Sequence, residues 1–211
     1  MATFACFDVE TTSLDPTNGR VIEVAVVRIE RDGAPAGEWT TLVDGETGNL
    51  GRTDIHGIRQ AWLKDAPRFA DIAGDLTHEL AGCVPVAHNS SFDVGFLHAE
   101  WRRARLGSLH LKAVDTVPMA RSLGLPGQLG KLADDLGTPL VDAHQALDDA
   151  RALAAVLVVM LDRGGKPHDV PPFELRRSYP KPSGLVRHRP SPGTPIHWST
   201  EPLPGQQRLD L

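Results

Sequence analysis

The chain has 211 residues, enough for one domain of ordinary size and a tail. With 41% hydrophobic and 23% charged residues it reads as a soluble globular protein, and no apolar run approaches the roughly 20 residues a membrane span needs. A net charge of −5 argues against an unassisted basic cleft for a polyanion.

Taken in chain order, Met1–Phe7 lacks a basic flank and leads directly into a strand over Thr3–Val9, so no signal peptide is expected. Val21–Glu30 reads as a second, apolar strand. Asp32-Gly33 signals a turn, and Glu38–Val43 completes a meander. Pro67–Leu80 carries helical spacing through Phe69, Ile72, Ala73, Leu76 and Leu80. Cys83–Ala87 is a short buried strand, and Phe92–Arg105 a helix with Ser90 and Ser91 as its expected caps. Leu109–Val114 reads as the fifth strand, followed by short helices around Val117–Leu123 and Gln128–Leu136 and a long apolar helix over Ala143–Leu161. Three strands, then alternating helix and strand, then a closing helix predict a mixed α/β sheet covered on both faces. Cys6 and Cys83 lie in apolar runs without metal-ligand spacing, as buried free thiols of a reducing, cytoplasmic setting would.

Composition changes near Arg163. Ten of the 17 prolines fall in the last 49 residues, and Gly164–Gln207 shows neither helical nor strand periodicity. The expected division is a compact domain over 1–162 and an extended, mostly disordered tail over 163–211. The tail holds eight Lys/Arg against four acids, for +4, which leaves −9 on the first 162 residues. An acidic body that handles polyanions needs divalent cations as intermediaries.

The acids are arranged in pairs and clusters. Asp8 and Glu10 are two apart on the first strand, so both project from the face that also bears Phe4 and Cys6. Two carboxylates ending an otherwise apolar strand are costly to bury without cations. Asp93 falls in the first turn after His88-Asn89-Ser90-Ser91-Phe92, where it either complements the helix dipole or supplies a ligand at a strand's carboxyl end. His144 and Asp149 are five residues apart, a 140° offset within a regular helix, so His144 is expected on the loop before it. Asp149 heads the apolar stripe Leu153, Val156, Met160 and is taken as the ligand. Asp148, which can pair with Arg151, is taken as its solvated neighbour.

Together and in this order these motifs resemble the DEDDh exonucleases, the superfamily of the proofreading epsilon subunit of bacterial DNA polymerase III and of ribonuclease T. The resemblance covers about residues 3–161. It rests on Phe7-Asp8-Val9-Glu10-Thr11-Thr12, on His88-Asn89-x-x-Phe92-Asp93, on Asp115-Thr116 and on His144-x4-Asp149. It implies a ribonuclease H-like fold with a five-stranded sheet, and metal-dependent 3′→5′ hydrolysis of phosphodiester bonds that releases nucleoside 5′-monophosphates. Asp8, Glu10, Asp93 and Asp149 would be metal ligands and His144 the general base. Thr11, Thr12, His56, Gly57, Ile58 and Phe92 would contact the terminal nucleotide, with His56 and Phe92 as candidate stacking groups. Ser13 departs from the glycine usual after the two threonines.

Hard oxygen ligands suit Mg²⁺ or Mn²⁺. Two ions roughly 3.5–4 Å apart can clamp attacking and departing oxygens, and a histidine, with an ordinary pKa near 6.5, can take the water's proton. Single-stranded or frayed 3′ ends of DNA are the expected substrate. RNA or short oligonucleotides are the alternative, and an inactive nucleic-acid-binding module of the same fold is a third reading. The ending Gln206-Gln207-Arg208-Leu209-Asp210-Leu211 resembles peptides that dock on a bacterial sliding clamp, through Gln206, Leu209 and Leu211. Such docking would connect the enzyme to a clamp or a replicative polymerase. The rival role for the tail is phosphate contact by Arg176, Arg177, Arg187 and Arg189.

Overall fold

A computed structural model describes residues 3–141 and 143–190. Strands β1 (Phe4–Thr11), β2 (Val21–Ile29), β3 (Pro35–Leu42), β4 (Val84–Ala87) and β5 (Val114–Asp115) form one five-stranded sheet in the order β3-β2-β1-β4-β5. β2 pairs antiparallel with β1 and β3, whereas β4 runs parallel to β1 and β5 parallel to β4. The antiparallel half is a meander, because Gly33, at φ 85°, supplies the reversal between β2 and β3.

Side-chain alternation along β1 and β2 divides the core. Ala5, Phe7, Val9, Val24 and Val26 face helices α3 (Phe69–Leu80) and α4 (Ser90–Arg103). Phe4, Cys6, Ala25, Val27 and Ile29 face α5 (Thr116–Ser122), α6 (Leu129–Leu136) and α7 (Ala146–Asp162). Two four-residue helices, α1 (Thr53–His56) and α2 (Gln60–Leu63), cover a satellite cluster of Ile22, Leu42, Leu50, Ile58 and Leu63. Neither is long enough to display a helical repeat in sequence.

Three expectations need correction. β5 is two residues long, and Leu109–Ala113 forms no ladder. Leu111 is buried in the core, and the His110 N–H donates to the Tyr179 hydroxyl at 3.0 Å, so tertiary partners replace strand pairing. Ser90 and Ser91 do not cap α4. The cap position is Asn89, left-handed at φ 64° with no capping bond from its own side chain. Its role is taken by Asp115, whose carboxylate accepts from the Asn89 and Ser90 N–H groups, both at 3.1 Å.

The third correction concerns the tail. Residues 164–190 are extended, with no helix or strand element, but they are not free of the body. Phe173, Tyr179 and Val186 are buried in the core beneath α3 and α4. The Phe173 N–H donates to the Cys83 carbonyl at 2.8 Å, and the Tyr179 ring meets Trp101 edge-on at 5.2 Å. Proline-rich composition removes periodicity without removing aromatic anchors. No helix among the described residues is long and apolar enough to cross a membrane.

Candidate active site

Parallel pairing of β1 with β4 sets their carboxyl ends side by side, so the chain leaving β4 enters α4 next to the end of β1. β1 presents Asp8 and Glu10 toward α7 by alternation. Asp93, in the first turn of α4, is buried, and its Oδ1 accepts from the Val9 N–H at 3.1 Å. That bond fixes the third carboxylate to the peptide between the first two. Asp149 arrives on the first turn of α7.

His144 sits ahead of α7 in a left-handed turn (φ 70°), exposed, with its N–H donating to Asp149 Oδ2 at 2.9 Å. The loop placement expected from the five-residue spacing is therefore what the structure has. Glu10, His144 and Asp149 each offer a ligand atom within 4.8 Å of the others. Asp148 points elsewhere, into an ion pair with Arg151 at 3.0 Å, and Arg151 also pairs with Glu38.

Burial, and then crowding, makes these acids poor ones. Burial, then the neighbouring charges of Asp93, Asp149, Glu10 and Glu23, holds Asp8 well above the ordinary carboxylate range. Burial, reinforced chiefly by Glu23, pushes Glu10 up to about 8. Asp93 is raised by burial to about 7, with the Val9 hydrogen bond opposing the shift. Asp149 is raised as well, again by burial first. Such a group must take up protons or cations, and its oxygen donors suit a hard divalent metal.

The other expected contacts divide. Phe92 is partly buried, its ring 4.9 Å from that of Phe96. The Thr11 hydroxyl donates to the Ser13 carbonyl at 2.7 Å, and the Thr12 hydroxyl accepts from the Arg20 N–H at 3.0 Å, so both brace the loop leaving β1. Ser13 is outside the left-handed region, which is why a glycine is not required there. Its hydroxyl instead engages the Asp15 backbone.

His56 is a correction. Its ring is buried, with Nε2 donating to the Leu50 carbonyl and Nδ1 accepting from the Ile58 N–H, each at 3.0 Å. The ring thus stiffens its own turn and has no free face to stack on a base. Ile58 is buried beneath it, which leaves Gly57 as the exposed member of the three.

Sequence reasoning passed over Glu23 and Leu14, and it placed Arg189 only among candidate phosphate contacts. Glu23 lies opposite Glu10 in the β1–β2 register and is buried, and its Oε2 accepts from the Ala146 N–H at the start of α7, at 3.0 Å. A single acid inside the apolar run Val21–Ile29 was the available signal. Arg189 binds Glu23 through two 2.7 Å bonds. Leu14, two residues beyond Thr12 in the loop after β1, is an apolar side chain left 86% exposed.

Comparisons with known proteins bear on the family and the fold. The exonuclease family model (RNase_T) matches residues 5–157. The DNA polymerase III epsilon subunit of Treponema pallidum is 34% identical over 169 residues, covering 77% of this chain and 78% of that protein. The PolC-type DNA polymerase III of Oceanobacillus iheyensis is 31% identical over 212 positions, where this chain spans 15% of the relative's length. Among solved structures, the nuclease domain of 3′hExo, described as a DEDDh family member bound to rAMP, superposes with a TM-score of 0.65 at 18% identity, over 80% of this chain and 96% of that one. E. coli exonuclease I in complex with a dT13 oligonucleotide gives 0.63 at 17% identity, over 77% and 42%.

Proposed function

We propose that this chain, which belongs to the RNase_T exonuclease family, works as a DEDDh-type enzyme that removes nucleotides from the 3′ ends of DNA by divalent-metal-dependent hydrolysis. The observation that carries this reading is the convergence of Asp8, Glu10, Asp93 and Asp149 at the end of β1, beside an exposed His144. Those four carboxylates would hold two Mg²⁺ or Mn²⁺ ions, and their raised proton affinity is the mark of a group short of cations. When bound, the metals supply charge neutralisation at the phosphoryl oxygens and a more acidic attacking water.

The remaining chemistry belongs to the chain. His144 accepts the water's proton at its ring and, being exposed, returns it to solvent. Its backbone bond to Asp149 holds base and ligand in one register. Gly57, Phe92 and the exposed Leu14 offer backbone and apolar surface to the terminal nucleotide.

DNA is favoured over RNA because a relative that shares 78% of its length with this chain is a DNA polymerase III subunit. RNA is the second reading, since one structural neighbour at TM-score 0.69 is a 3′-exonuclease that recognises a histone mRNA stem-loop. A partnership with a sliding clamp or polymerase rests on Gln206, Leu209 and Leu211, which lie outside the described residues. Titrating the peptide 201–211 against purified clamp tests it, and no binding at high micromolar peptide would remove the idea.

The deciding experiment for the activity is a product ladder from 5′-labelled single-stranded, mismatched and RNA oligonucleotides in Mn²⁺. Stepwise shortening of the labelled strand supports the proposal, and faster shortening of RNA than of matched DNA would move the substrate. Intact substrate in every lane would leave an inactive binding module of the same fold.

A further inference from the structure

The last described stretch ends at the active site after being tied down far from it. The Asp75 carboxylate of α3 accepts from the Ser183 N–H, the Ser183 hydroxyl and the Gly184 N–H, all at 2.8 Å. Gly74 lies so close beneath that a Cβ there would sit 2.1 Å from the Lys181 carbonyl oxygen. The segment then exchanges bonds with the end of β3: Leu42 N–H to the Arg187 carbonyl at 2.6 Å, and Arg187 N–H to the Thr41 hydroxyl at 2.9 Å.

Two residues on, the Arg189 guanidinium reaches three parts of the site at once. Nε and Nη2 donate to the two oxygens of Glu23, Nη1 to the His56 carbonyl at 2.6 Å, and Nη2 also to the His144 carbonyl at 3.2 Å. His144 is thereby held on both sides of its left-handed residue, by Asp149 at its N–H and by Arg189 at its carbonyl. A rigid planar fork can satisfy this set of acceptors together, and a flexible ammonium cannot.

We propose that Arg189 is a positioning residue, delivered by the 164–190 strap, which fixes the loop carrying His144 to β2 and to the 56–58 turn. The active site is complete only when the strap is seated. This reading rests on the proposed role of His144. It also makes Arg189 a poor candidate for phosphate contact, because four of its five N–H donors are already engaged.

The test compares full-length wild type with Arg189→Ala, Arg189→Lys and Gly74→Ala. The last displaces the strap from beneath α3 without touching the site. Two readouts are needed: the single-turnover rate on a 5′-labelled oligonucleotide with its KM, and amide hydrogen exchange across residues 143–149. Arg189→Ala should lower the rate by about 10- to 10²-fold, the scale of a small misplacement, with faster exchange in 143–149. Millimolar guanidinium should recover part of the loss, which general destabilisation would not allow. Arg189→Lys should fall between wild type and Arg189→Ala. Gly74→Ala should speed exchange both in the strap and in 143–149. Unchanged exchange in 143–149 in Arg189→Ala, or a rate within about twofold of wild type, overturns the proposal. An inactive wild type would instead overturn the exonuclease reading, and the exchange data would still decide the role of Arg189.

Discussion

His144 and Asp149 meet across a spacing that no regular helix would bring together, and the backbone supplies the solution. A left-handed residue ahead of α7 turns the His144 N–H onto the Asp149 carboxylate. His144→Ala should lower the hydrolysis rate by about 10²–10⁴ with little change in metal affinity by calorimetry. A loss of metal binding equal to that of Asp149→Ala would make His144 a ligand and not a base. Asp8→Ala, Asp93→Ala and Asp149→Ala should each cost orders of magnitude in rate. Asp148→Ala should leave the rate alone and remove an exposed ion pair worth no more than about 1 kcal/mol. The same burial and crowding set a pH dependence. A carboxyl whose folded pKa is raised binds more protons folded than unfolded, so its contribution is full at low pH and lost as pH rises. The window runs from the ordinary carboxylate pKa of about 4 to the values of about 7 and 8 at Asp93 and Glu10. Melting of metal-free protein should therefore fall between pH 5 and 8, and Mn²⁺ should stabilise more at pH 8 than at pH 5. Asp8→Asn should raise the metal-free midpoint at pH 8 while abolishing hydrolysis. A metal-free midpoint that climbs with pH would show that the cluster is not short of cations.

At the scale of elements, Asp115 joins β5 to two helices. Its Oδ1 accepts from the Val117 N–H at 2.9 Å and caps α5, while both oxygens accept from the first amides of α4. Because α4 carries Asp93, this cap orients a proposed metal ligand that it does not touch. Asp115→Ala should cost about 0.5–2 kcal/mol per cap in urea unfolding, and it should also depress the rate at saturating metal. A stability loss with an unaltered rate would mean that the Val9 bond and helix packing suffice to place Asp93. The elements carrying the proposed ligands were the legible ones. β1 and β2 alternate between two cores, and α7 displays its stripe from Asp149 to Met160. What was hidden is held by partners distant in sequence. Glu23 is one acid within a strand read as apolar, and only the register sets it opposite Glu10. His56 offered a ring for stacking until its turn folded back on Leu50 and Ile58. Leu109–Ala113 alternates like a strand, but its buried leucine and its backbone are satisfied by the core and by Tyr179.

On the scale of the whole molecule, the basic segment that composition sets apart from an acidic body is in part its counterpart. Arg189 neutralises Glu23 beside the carboxylate cluster, and Arg187 is buried, which leaves Arg176 and Arg177 exposed for phosphate contact. The strap is also a structural member, since Phe173, Tyr179 and Val186 complete the core that α3 and α4 share with the sheet. Burial of each such side chain contributes about 1.5–3 kcal/mol, against a total stability of roughly 5–15 kcal/mol for a domain of this kind. Comparing chains ending at 190 and at 163 isolates this contribution, because the first retains every described contact. The shorter chain should lose several kcal/mol of unfolding free energy, with a lower denaturant midpoint and a smaller slope, and should bind a hydrophobic dye where Trp101 loses its Tyr179 neighbour. Its exonuclease rate should fall further than the unfolded fraction explains, because Arg189 leaves with the strap. A chain ending at 163 with the midpoint and rate of the longer one would mean that sheet and helices alone form both the core and the site. The strap would then be a passenger on a domain that closes near Leu161.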